Sequence, residues 1–364
     1  MYLKINTNKE LLALIDELLN SSITWIALDT EFERRETYFP MLSLLQLATE
    51  NKAWVIDALS GIDLKPLQKI FENPQILKVW HAGDQDFDAI HYQLNLKVQP
   101  FIDTQVMATF ASMGKALSLE KLAMHFLNIQ IDKTLQNSQW LNRPLSDKQI
   151  AYAANDAEYI AKIYPLLNKQ LLDLNRLDWV IDEMQTLFNK YSNPNASKEW
   201  LKFCQPKQNY PNILYAYVLV NWREKIAKAN NTARPLIMPN HLLEHMIKTK
   251  NHRLYSEKFC NRQYLEDFLS AWHSIEELLA NTTMQHFIAA EVTEHFAKIP
   301  PHHETLLEAI NTHLQTAMHE LNLPADVILS KQQKLQAIKT NGNSLTGWRK
   351  QLFKKLFEQQ PTTI

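Results

Sequence analysis

The first half of the chain alternates short apolar runs with amphipathic stretches, which predicts strands mixed with helices. Four runs rich in β-branched or aromatic residues predict buried strands: ITWIALDTEF, LSLLQLAT, AWVID and ILKVWHA. Helical spacing is found in LKPLQKIFEN, DQDFDAIHYQL, DTQVMATFASM and LSLEKLAMHFL. The longest predicted helix begins after Ser146, a residue type that caps helix N-termini, and continues to about Leu174.

Beyond Leu174 the pattern predicts helices only. The stretch YSNPNAS, residues 191–197, is rich in turn-forming residues and predicts a linker. Two amphipathic helices are predicted next, NILYAYVLVNWREKIAKANN and SEKFCNRQYLEDFLSAWHSIEELLANTT, and Pro235 and Pro239 are expected to keep the intervening ARPLIMPN non-helical. A final helical unit is predicted from PHHETLLEAINTHLQTAMHELN, ADVILSKQQKLQAIKT and LTGWRKQLFKKLFEQQ.

Composition favours a folded, mostly helical chain of two or three domains. Its 364 residues are 46% hydrophobic and 21% charged, and only 5 are glycine. The two cysteines, Cys204 and Cys260, are too few to indicate a disulfide framework or a zinc module. Charges interrupt the N-terminal apolar residues, and no apolar run has the length of a membrane span. We therefore expect a cytoplasmic protein.

Charge is distributed unevenly, although the formal net charge is only -1. Residues 1–200 carry a net charge of -6 and residues 201–364 a net charge of +5. Within the second half, residues 201–262 carry +8, residues 263–330 carry -9 and residues 331–355 carry +7. Two basic segments that flank an acidic one indicate separate modules, and the basic modules are suited to bind a polyanion.

Carboxylates cluster where two of the predicted strands end. Asp29 and Glu31 point to the same face of a strand, about 6 to 7 Å apart. Burying this pair without a cation is costly, so either the strand end is solvent-exposed or the pair binds a metal. Three aspartates follow another strand, where they either cap a helix or direct one carboxylate inward: Asp84, Asp86 and Asp88. Tyr152 and Asp156 share one face of the longest helix.

Three segments in this order, ALDTEFER, HAGDQD and YAANDAEY, resemble the three motifs of DEDD-type 3′→5′ exonucleases. The Tyr-x-x-x-Asp form of the third resembles the tyrosine-containing subclass. FIDTQVMATF and DKTLQNSQWLNRPLSDKQ resemble segments of ribonuclease D. NWREKIAKANNTARPLIMPN is similar to an HRDC domain, a small helical nucleic-acid-binding module, and LTGWRKQLFKKLF resembles the end of a second such unit. The resemblance covers nearly the whole chain and is weakest at residues 263–330.

This resemblance implies an α/β fold, in which a ribonuclease-H-like mixed sheet flanked by helices is followed by two all-α HRDC-like domains. It places a DEDD exonuclease domain at residues 1–175 and a linker or connecting helix at residues 176–205. An HRDC domain is expected at residues 206–290 and a second HRDC-like domain at residues 291–364.

The resemblance further implies that four carboxylates are catalytic and hold two divalent cations, Mg²⁺ or Mn²⁺: Asp29, Glu31, Asp86 and Asp156. Asp86 is preferred to its neighbouring aspartates because it has the family's spacing from His81. Tyr152 matches the tyrosine of the third motif. We expect it to orient the attacking water, because an ordinary tyrosine pKa near 10 makes a poor general base.

Five basic residues are candidate contacts to nucleic acid: Lys133, Arg143, Arg223, Lys225 and Lys228. The first two lie in a loop where the family's Lys-Ser-Glu-like stretch is replaced by Lys-Thr-Leu, and solvated charges are the alternative. The other three neighbour Trp222 at helical spacing, where the alternative is a solvated helix with Trp222 in the core. HLLEH, residues 241–245, fits an inverted zinc-peptidase spacing, but the HRDC resemblance already accounts for it.

We expect a metal-dependent 3′→5′ exoribonuclease that trims RNA and releases 5′-mononucleotides, with 3′-extended tRNA precursors as substrate. No membrane and no obligate protein partner are expected. One alternative is a DNA exonuclease of the same chemistry, because the sequence does not show which residues read a 2′-hydroxyl. Another is an RNA-binding protein with an inactive nuclease domain, against which the complete acidic set and tyrosine argue. Residues 33–36 are interpreted as a solvated loop at the rim of the site.

Overall fold

The computed structural model describes residues 2–191, 198–258, 260–299 and 303–358. Contacts divide the chain into two compact units. The first unit comprises Met1–Glu33, Pro40–Ser192 and Ile299–Ile364, and the second comprises Arg34–Phe39 and Asn193–Lys298. Residues 192–197, which are most of the predicted linker, lie outside the described residues.

Six strands in the described part of the first unit form one mixed sheet: β1 (Tyr2–Ile5), β2 (Trp25–Glu33), β3 (Met41–Ala48), β4 (Ala53–Asp57), β5 (Leu77–Trp80) and β6 (Phe101–Asp103). Their order across the sheet is β1-β4-β3-β2-β5-β6. The strand β3 runs antiparallel to its neighbours β2 and β4, and the remaining pairs are parallel. The long strand β2 therefore lies inside the sheet, between β3 and β5.

Helices make up the remainder of both units. Those of the first unit are α1 (Asn8–Asn20), α2 (Gln68–Phe71), α3 (Asp84–Leu94), α4 (Thr104–Phe110), α5 (Leu119–Leu127), α6 (Asp147–Asp173), α7 (Leu177–Tyr191), α14 (Glu304–Leu321), α15 (Ala325–Ile328), α16 (Lys331–Lys339) and α17 (Gly347–Glu358). Those of the second are α8 (Tyr210–Ala229), α9 (Arg234–Ile237), α10 (Asn240–Thr249), α11 (Arg253–Lys258), α12 (Arg262–Leu279) and α13 (Thr282–His295). Short 3₁₀ helices occupy Lys65–Leu67 and Glu199–Phe203.

The helix α6 begins where the sequence predicts. The Ser146 side chain accepts a hydrogen bond from the Gln149 backbone at 3.3 Å, and the Gln149 side chain accepts one from the Ser146 backbone at 3.0 Å. This reciprocal cap satisfies two amide groups that a helix N-terminus otherwise leaves unbonded. The face of α6 that packs on β2 and β3 carries the fully buried Ala153, Ala154 and Ala157. Their small side chains let the helix lie close to the sheet.

The predicted α/β architecture, a mixed sheet flanked by helices and followed by helical segments, is confirmed, with local corrections. The strands β1 and β6 were not predicted because runs of four and three residues give too little alternation to detect. The prediction that ARPLIMPN is non-helical is wrong, because Arg234–Ile237 forms a helical turn. Pro235 stands in the first turn, where its missing N–H has no partner to lose.

The second unit has its own hydrophobic core. Trp222 is 5% exposed and contacts the rings of Tyr255 and Phe268 edge-on, at centroid distances of 6.0 and 5.2 Å. The interpretation of Trp222 as a core residue is thereby confirmed. None of the helices in the described residues combines the length and the apolar character needed to cross a membrane.

The C-terminal helices pack within the first unit. The Trp348 ring on α17 stacks on Trp179 of α7, with centroids 4.7 Å apart and an interplanar angle of 10°. Arg349 pairs with Glu183 and donates to the Val327 carbonyl at 2.8 Å. Residues of the predicted second HRDC-like domain thus contact the helix α7. The predicted domain boundaries remain predictions.

Candidate active site

The strand β2 presents the first two carboxylates at its C-terminal end. Asp29 and Glu31 lie on one face, and both side chains are partly buried, while the intervening Thr30 points to the other face and is 6% exposed. Directly after Glu31 the register with β3 shifts, so that Ser43 is an additional residue on β3. Such a bulge bends the strand pair and fixes the direction of nearby side chains.

The helix α6 brings a third carboxylate to this strand end. Ligand oxygens of Asp29, Glu31 and Asp156 all lie within 4.8 Å of one another. Within the described ranges, this is the one group of three or more histidine, cysteine or acidic residues with metal-binding spacing. His241 and His245 of the HLLEH motif are exposed on α10 and belong to no such group in the described chain.

Asp86 lies beside this triad on α3, after a constrained turn. Ala82 adopts a positive φ of 55°, and a Cβ on Gly83 would lie 3.0 Å from the Trp80 side chain. Asp86 is 8% exposed and accepts a hydrogen bond from the Thr30 hydroxyl. The group of oxygens within 4.8 Å of one another does not include those of Asp86. The charge of Asp86 nevertheless raises the pKa of Asp29 and of Glu31.

Burial raises the pKa of all four carboxyl groups, and the charges of neighbouring cluster members add to the shift at Asp29 and Glu31. Burial, followed by the charges of the neighbouring acids, raises the pKa of Asp29 well above its ordinary value and the pKa of Glu31 to about 9. Burial raises the pKa of Asp156 to about 7 and that of Asp86 to about 6, although hydrogen bonds from Tyr152 and Thr30 oppose these shifts. The site therefore favours protons or cations over bare carboxylates.

Tyr152 stands one helical turn before Asp156. Its ring packs against the buried Trp140 with centroids 6.2 Å apart, so the orientation of the phenol is held by packing. Burial and the surrounding acids raise the pKa of Tyr152 above its ordinary value, so the phenol stays protonated at neutral pH. It is therefore a hydrogen-bond donor rather than a base.

A network behind the site was not predicted from the sequence. Asp103 accepts hydrogen bonds from the amides of Ala82 and Gly83, each at 3.1 Å, and thereby fixes the turn before α3. Thr104 donates to the Trp80 carbonyl at 2.9 Å and bonds His81 Nδ1 at 2.9 Å. Burial lowers the pKa of His81 to about 4. The adjacent Asp103 and Thr104 in FIDTQ are the feature of the sequence that could have indicated this network.

Two of the four carboxylates, Asp29 and Asp156, border a cavity of about 280 Å³, which is also lined by Tyr152, His81, Lys133 and Gln136 among others. Lys133 thus lies at the site as predicted, where it pairs with Glu120 at 2.5 Å. Its contact with nucleic acid remains a prediction.

The other predicted nucleic-acid contacts do not line this cavity. Arg143 binds Asp57 through two hydrogen bonds of 2.6 and 2.8 Å and also donates to Ser43, so it fastens a loop to the sheet. On α8, Lys225 is exposed and Lys228 is partly buried, whereas Arg223 is 3% exposed. Arg223 therefore lies in the interior of the second unit rather than on an exposed helix face.

The segment after the first motif is more ordered than a solvated loop. Glu33 accepts a hydrogen bond from the Leu141 amide at 3.2 Å. Arg34–Phe39 belongs to the second unit, where the Glu36 carbonyl accepts from the Ala233 amide at 2.8 Å. The side chains of residues 34–36 are exposed, but the backbone is held by contacts that local sequence does not reveal.

Residues 2–172 match a family model described as a 3′-5′ exonuclease. The matched segment includes all six strands and the residues of the carboxylate cluster. Residues 2–172 are thus similar to 3′-5′ exonucleases. The expectation drawn from the three motifs is confirmed for the exonuclease domain that carries them.

Curated proteins that match this chain include ribonucleases D. The chain is 34% identical over 227 residues to ribonuclease D of Zymomonas mobilis, which covers 61% of this chain and 58% of that protein. It is 27% identical over 348 residues to ribonuclease D of Pseudomonas paraeruginosa, which covers 90% and 89%. Matches to the curated relatives at 31% to 35% identity span about three fifths of their length. The predicted resemblance to ribonuclease D is confirmed.

A solved structure shows the same fold. Escherichia coli RNase D, described as an exoribonuclease involved in structured RNA processing, matches with a TM-score of 0.80 and 22% identity. The match covers 98% of this chain and 98% of that chain. At this identity the likeness establishes the fold, so the predicted ribonuclease-H-like sheet with a helical C-terminal part is confirmed.

The exonuclease family depends on divalent cations, and the residues present fit such a cation. All four candidate ligands are carboxylates, the hard oxygen donors that Mg²⁺, Mn²⁺ and Ca²⁺ prefer. Their raised pKa values show that the folded chain does not itself neutralise their charge. A bound cation would offset the cost of burying these charges and the repulsion that adds to it at Asp29 and Glu31.

We expect Asp156→Asn to stabilise the protein in EDTA at about pH 8. The pKa of Asp156 is raised to about 7 in the folded chain, so the free energy of unfolding falls between about pH 4, where the unfolded chain loses this proton, and about pH 7, and stays low above it. Asparagine removes that cost, by about 1 kcal/mol or more. In Mg²⁺ or Mn²⁺ at about a hundred times Kd, the parent should gain about 2.7 kcal/mol and the variant less. Denaturant unfolding measures both quantities.

Asp173→Asn on the exposed end of the same helix is the matched control, since that side chain is 66% exposed. It should respond to EDTA and to cations as the parent does. Equal cation stabilisation of the parent and Asp156→Asn would contradict a metal site at this triad.

Proposed function

We propose that this protein is a 3′→5′ exoribonuclease that hydrolyses phosphodiester bonds and releases 5′-mononucleotides. The observation that carries the proposal is the convergence of Asp29, Glu31 and Asp156 within 4.8 Å at the end of β2, in a family of 3′–5′ exonucleases. The position of Tyr152 one turn before Asp156, on the same cavity, supports it.

The carboxylates would hold the cations that the reaction needs. Asp29, Glu31 and Asp156 present oxygens close enough to share a small ion, and Asp86 lies next to them with its second oxygen not engaged by Thr30. We propose two Mg²⁺ or Mn²⁺ ions with these four residues as ligands. When bound, the ions supply a water of lowered pKa and neutralise charge on the leaving 3′ oxygen.

Tyr152 would position the attacking water. A phenol that keeps its proton at neutral pH donates a hydrogen bond to the water oxygen and leaves proton removal to another group. Packing against Trp140 fixes the direction of this donor. Lys133 and Gln136 line the same cavity, and both supply donors suited to the phosphate or base of a terminal nucleotide.

RNA is the proposed substrate, with 3′-extended tRNA precursors as the specific class. Similarity to ribonucleases D over most of the chain supports RNA over DNA. The net charge of +8 at residues 201–262 supports polyanion binding by the second unit. We propose a cytoplasmic location, which the free thiols of Cys204 and Cys260 support, because unpaired cysteines are typical of reducing compartments.

We expect Asp29→Asn and Asp86→Asn each to reduce RNA hydrolysis roughly a thousandfold, because losing a ligand removes several kcal/mol of transition-state stabilisation. Asp84→Asn is the matched control for Asp86→Asn, since Asp84 is exposed on the same first turn of α3. The measurement is the shortening of a 5′-labelled tRNA with a 3′ extension, in Mg²⁺ and in Mn²⁺.

Parallel digestion of RNA and DNA oligonucleotides of one sequence tests the substrate class. If the protein digests DNA faster than RNA, the proposed function becomes that of a DNA exonuclease. Undiminished digestion by Asp29→Asn would contradict the metal assignment. RNA binding by the parent without turnover in either metal would indicate an inactive nuclease domain.

We expect Tyr152→Phe to lower kcat about a hundredfold, the lower end of what a positioned proton-transfer group contributes, with little change in KM. Its cation-dependent stabilisation should equal that of the parent, because the phenol is not a ligand. Tyr159→Phe, a partly buried tyrosine two turns along α6, is the control. An unchanged kcat in Tyr152→Phe would contradict the positioning role.

A further inference from the structure

A second cavity lies entirely within the second unit. Its volume is about 530 Å³, in the range of sites that bind small molecules. Five cationic side chains line it: Arg34, Arg35, Lys202, Arg223 and Arg234. Two carboxylates, Glu199 and Glu244, also line it, so positive charge is in excess.

Arg223 is the buried cation of this cavity. It is 3% exposed, and its Nη1 donates to the Met238 carbonyl at 3.0 Å and to the Asn240 side chain at 2.7 Å. Its Nε is buried and has no hydrogen-bond partner in the described chain. The guanidinium lies 5.5 Å from the centre of the Phe203 ring. Burying an arginine with an unbonded donor costs free energy that an anion in the cavity would offset.

Carboxylates already pair with Lys202 and Arg234. Lys202 pairs with Glu199 at 2.8 Å, and Arg234 pairs with Glu224. With Glu224 included, five cations face three carboxylates, which leaves an excess of two positive charges. Among the described residues, no salt bridge is formed by Arg223, and burial lowers its pKa. The excess of cationic over acidic side chains in the lining favours an anion such as phosphate.

The wall that carries Arg34 and Arg35 is fixed in place. The Tyr38 hydroxyl donates to Glu224 at 2.7 Å and accepts from Arg234 at 2.9 Å. The Phe39 amide donates to the Asn231 side chain at 2.9 Å. These contacts hold the segment that follows Arg34 and Arg35, so the chain that carries the two arginines is anchored before any ligand binds, which lowers the entropic cost of binding.

We propose that this cavity binds the phosphate group of a nucleotide, with Arg223 as the buried anchor and Arg35 at the rim. Arginine favours phosphate because its planar fork makes two parallel, charge-assisted hydrogen bonds. Phe203, partly exposed on the same wall, offers a face on which a base stacks. The phosphate comes either from a free mononucleotide or from a nucleotide within an RNA chain, and the site is independent of the proposed hydrolysis.

Isothermal titration of the full chain in EDTA tests this site with three probes: inorganic phosphate, adenosine 5′-monophosphate and a short oligouridylate. EDTA prevents hydrolysis and leaves the carboxylate cluster unable to attract phosphate. Arg35→Gln should weaken binding about tenfold, the loss expected for one charge-assisted hydrogen bond, and Arg223→Met should weaken it further. Lys248→Gln, at an exposed lysine on α10 outside the cavity, should bind as the parent does.

The result for Arg223→Met counts only if the thermal unfolding of this variant is cooperative. If it is not, Arg35→Gln decides the test, because the Arg35 side chain is exposed and its replacement leaves the fold intact. Tighter binding of the monophosphate assigns the site to a free nucleotide, and tighter binding of the oligouridylate assigns it to RNA. Either result, with the Arg35→Gln loss, supports the proposal. Absence of binding by all three probes, or equal affinity of the parent and Arg35→Gln, overturns it without affecting the hydrolysis experiments.

Discussion

Burial of carboxylates beside one another, on one strand and on the helix packed against it, is the constraint on which the rest of this structure depends. Asp29, Glu31 and Asp156 converge within 4.8 Å, and the interactions that shift their pKa values include no lysine or arginine. Such a cluster lowers the stability of the folded chain unless a proton or a cation neutralises it. The same arrangement therefore costs folding free energy and creates affinity for a divalent ion.

The surrounding fold holds the carboxylates together against this repulsion. The capped helix α6 lies close to β2 because its inner face carries alanines, and this closeness sets the position of Asp156. Asp103 binds the two amides of the turn that leads to Asp86. The packing of α6 on β2 and the hydrogen bonds of Asp103 are both buried. Such support is required for a site whose ligands must stay in position when no ion is bound.

The sequence predicts the parts of this site that follow from local periodicity. Two-residue spacing places Asp29 and Glu31 on one strand face, and four-residue spacing places Tyr152 and Asp156 on one helix face. The network around Asp103 and the burial of Arg223 were missed, because both depend on residues brought together by tertiary packing. Strands as short as β1 and β6 are likewise set by their neighbours in the sheet rather than by their own pattern.

Anomalous diffraction from crystals grown with Mn²⁺ tests the central claim most directly. The claim is that the buried repulsion exists because this strand end is a cation site. The account predicts two anomalous peaks about 4 Å apart, each bonded to oxygens of the cluster formed by Asp29, Glu31, Asp86 and Asp156. The contradicting result is an active, RNA-hydrolysing protein whose crystals show fully occupied Mn²⁺ sites elsewhere and no anomalous peak at these four residues.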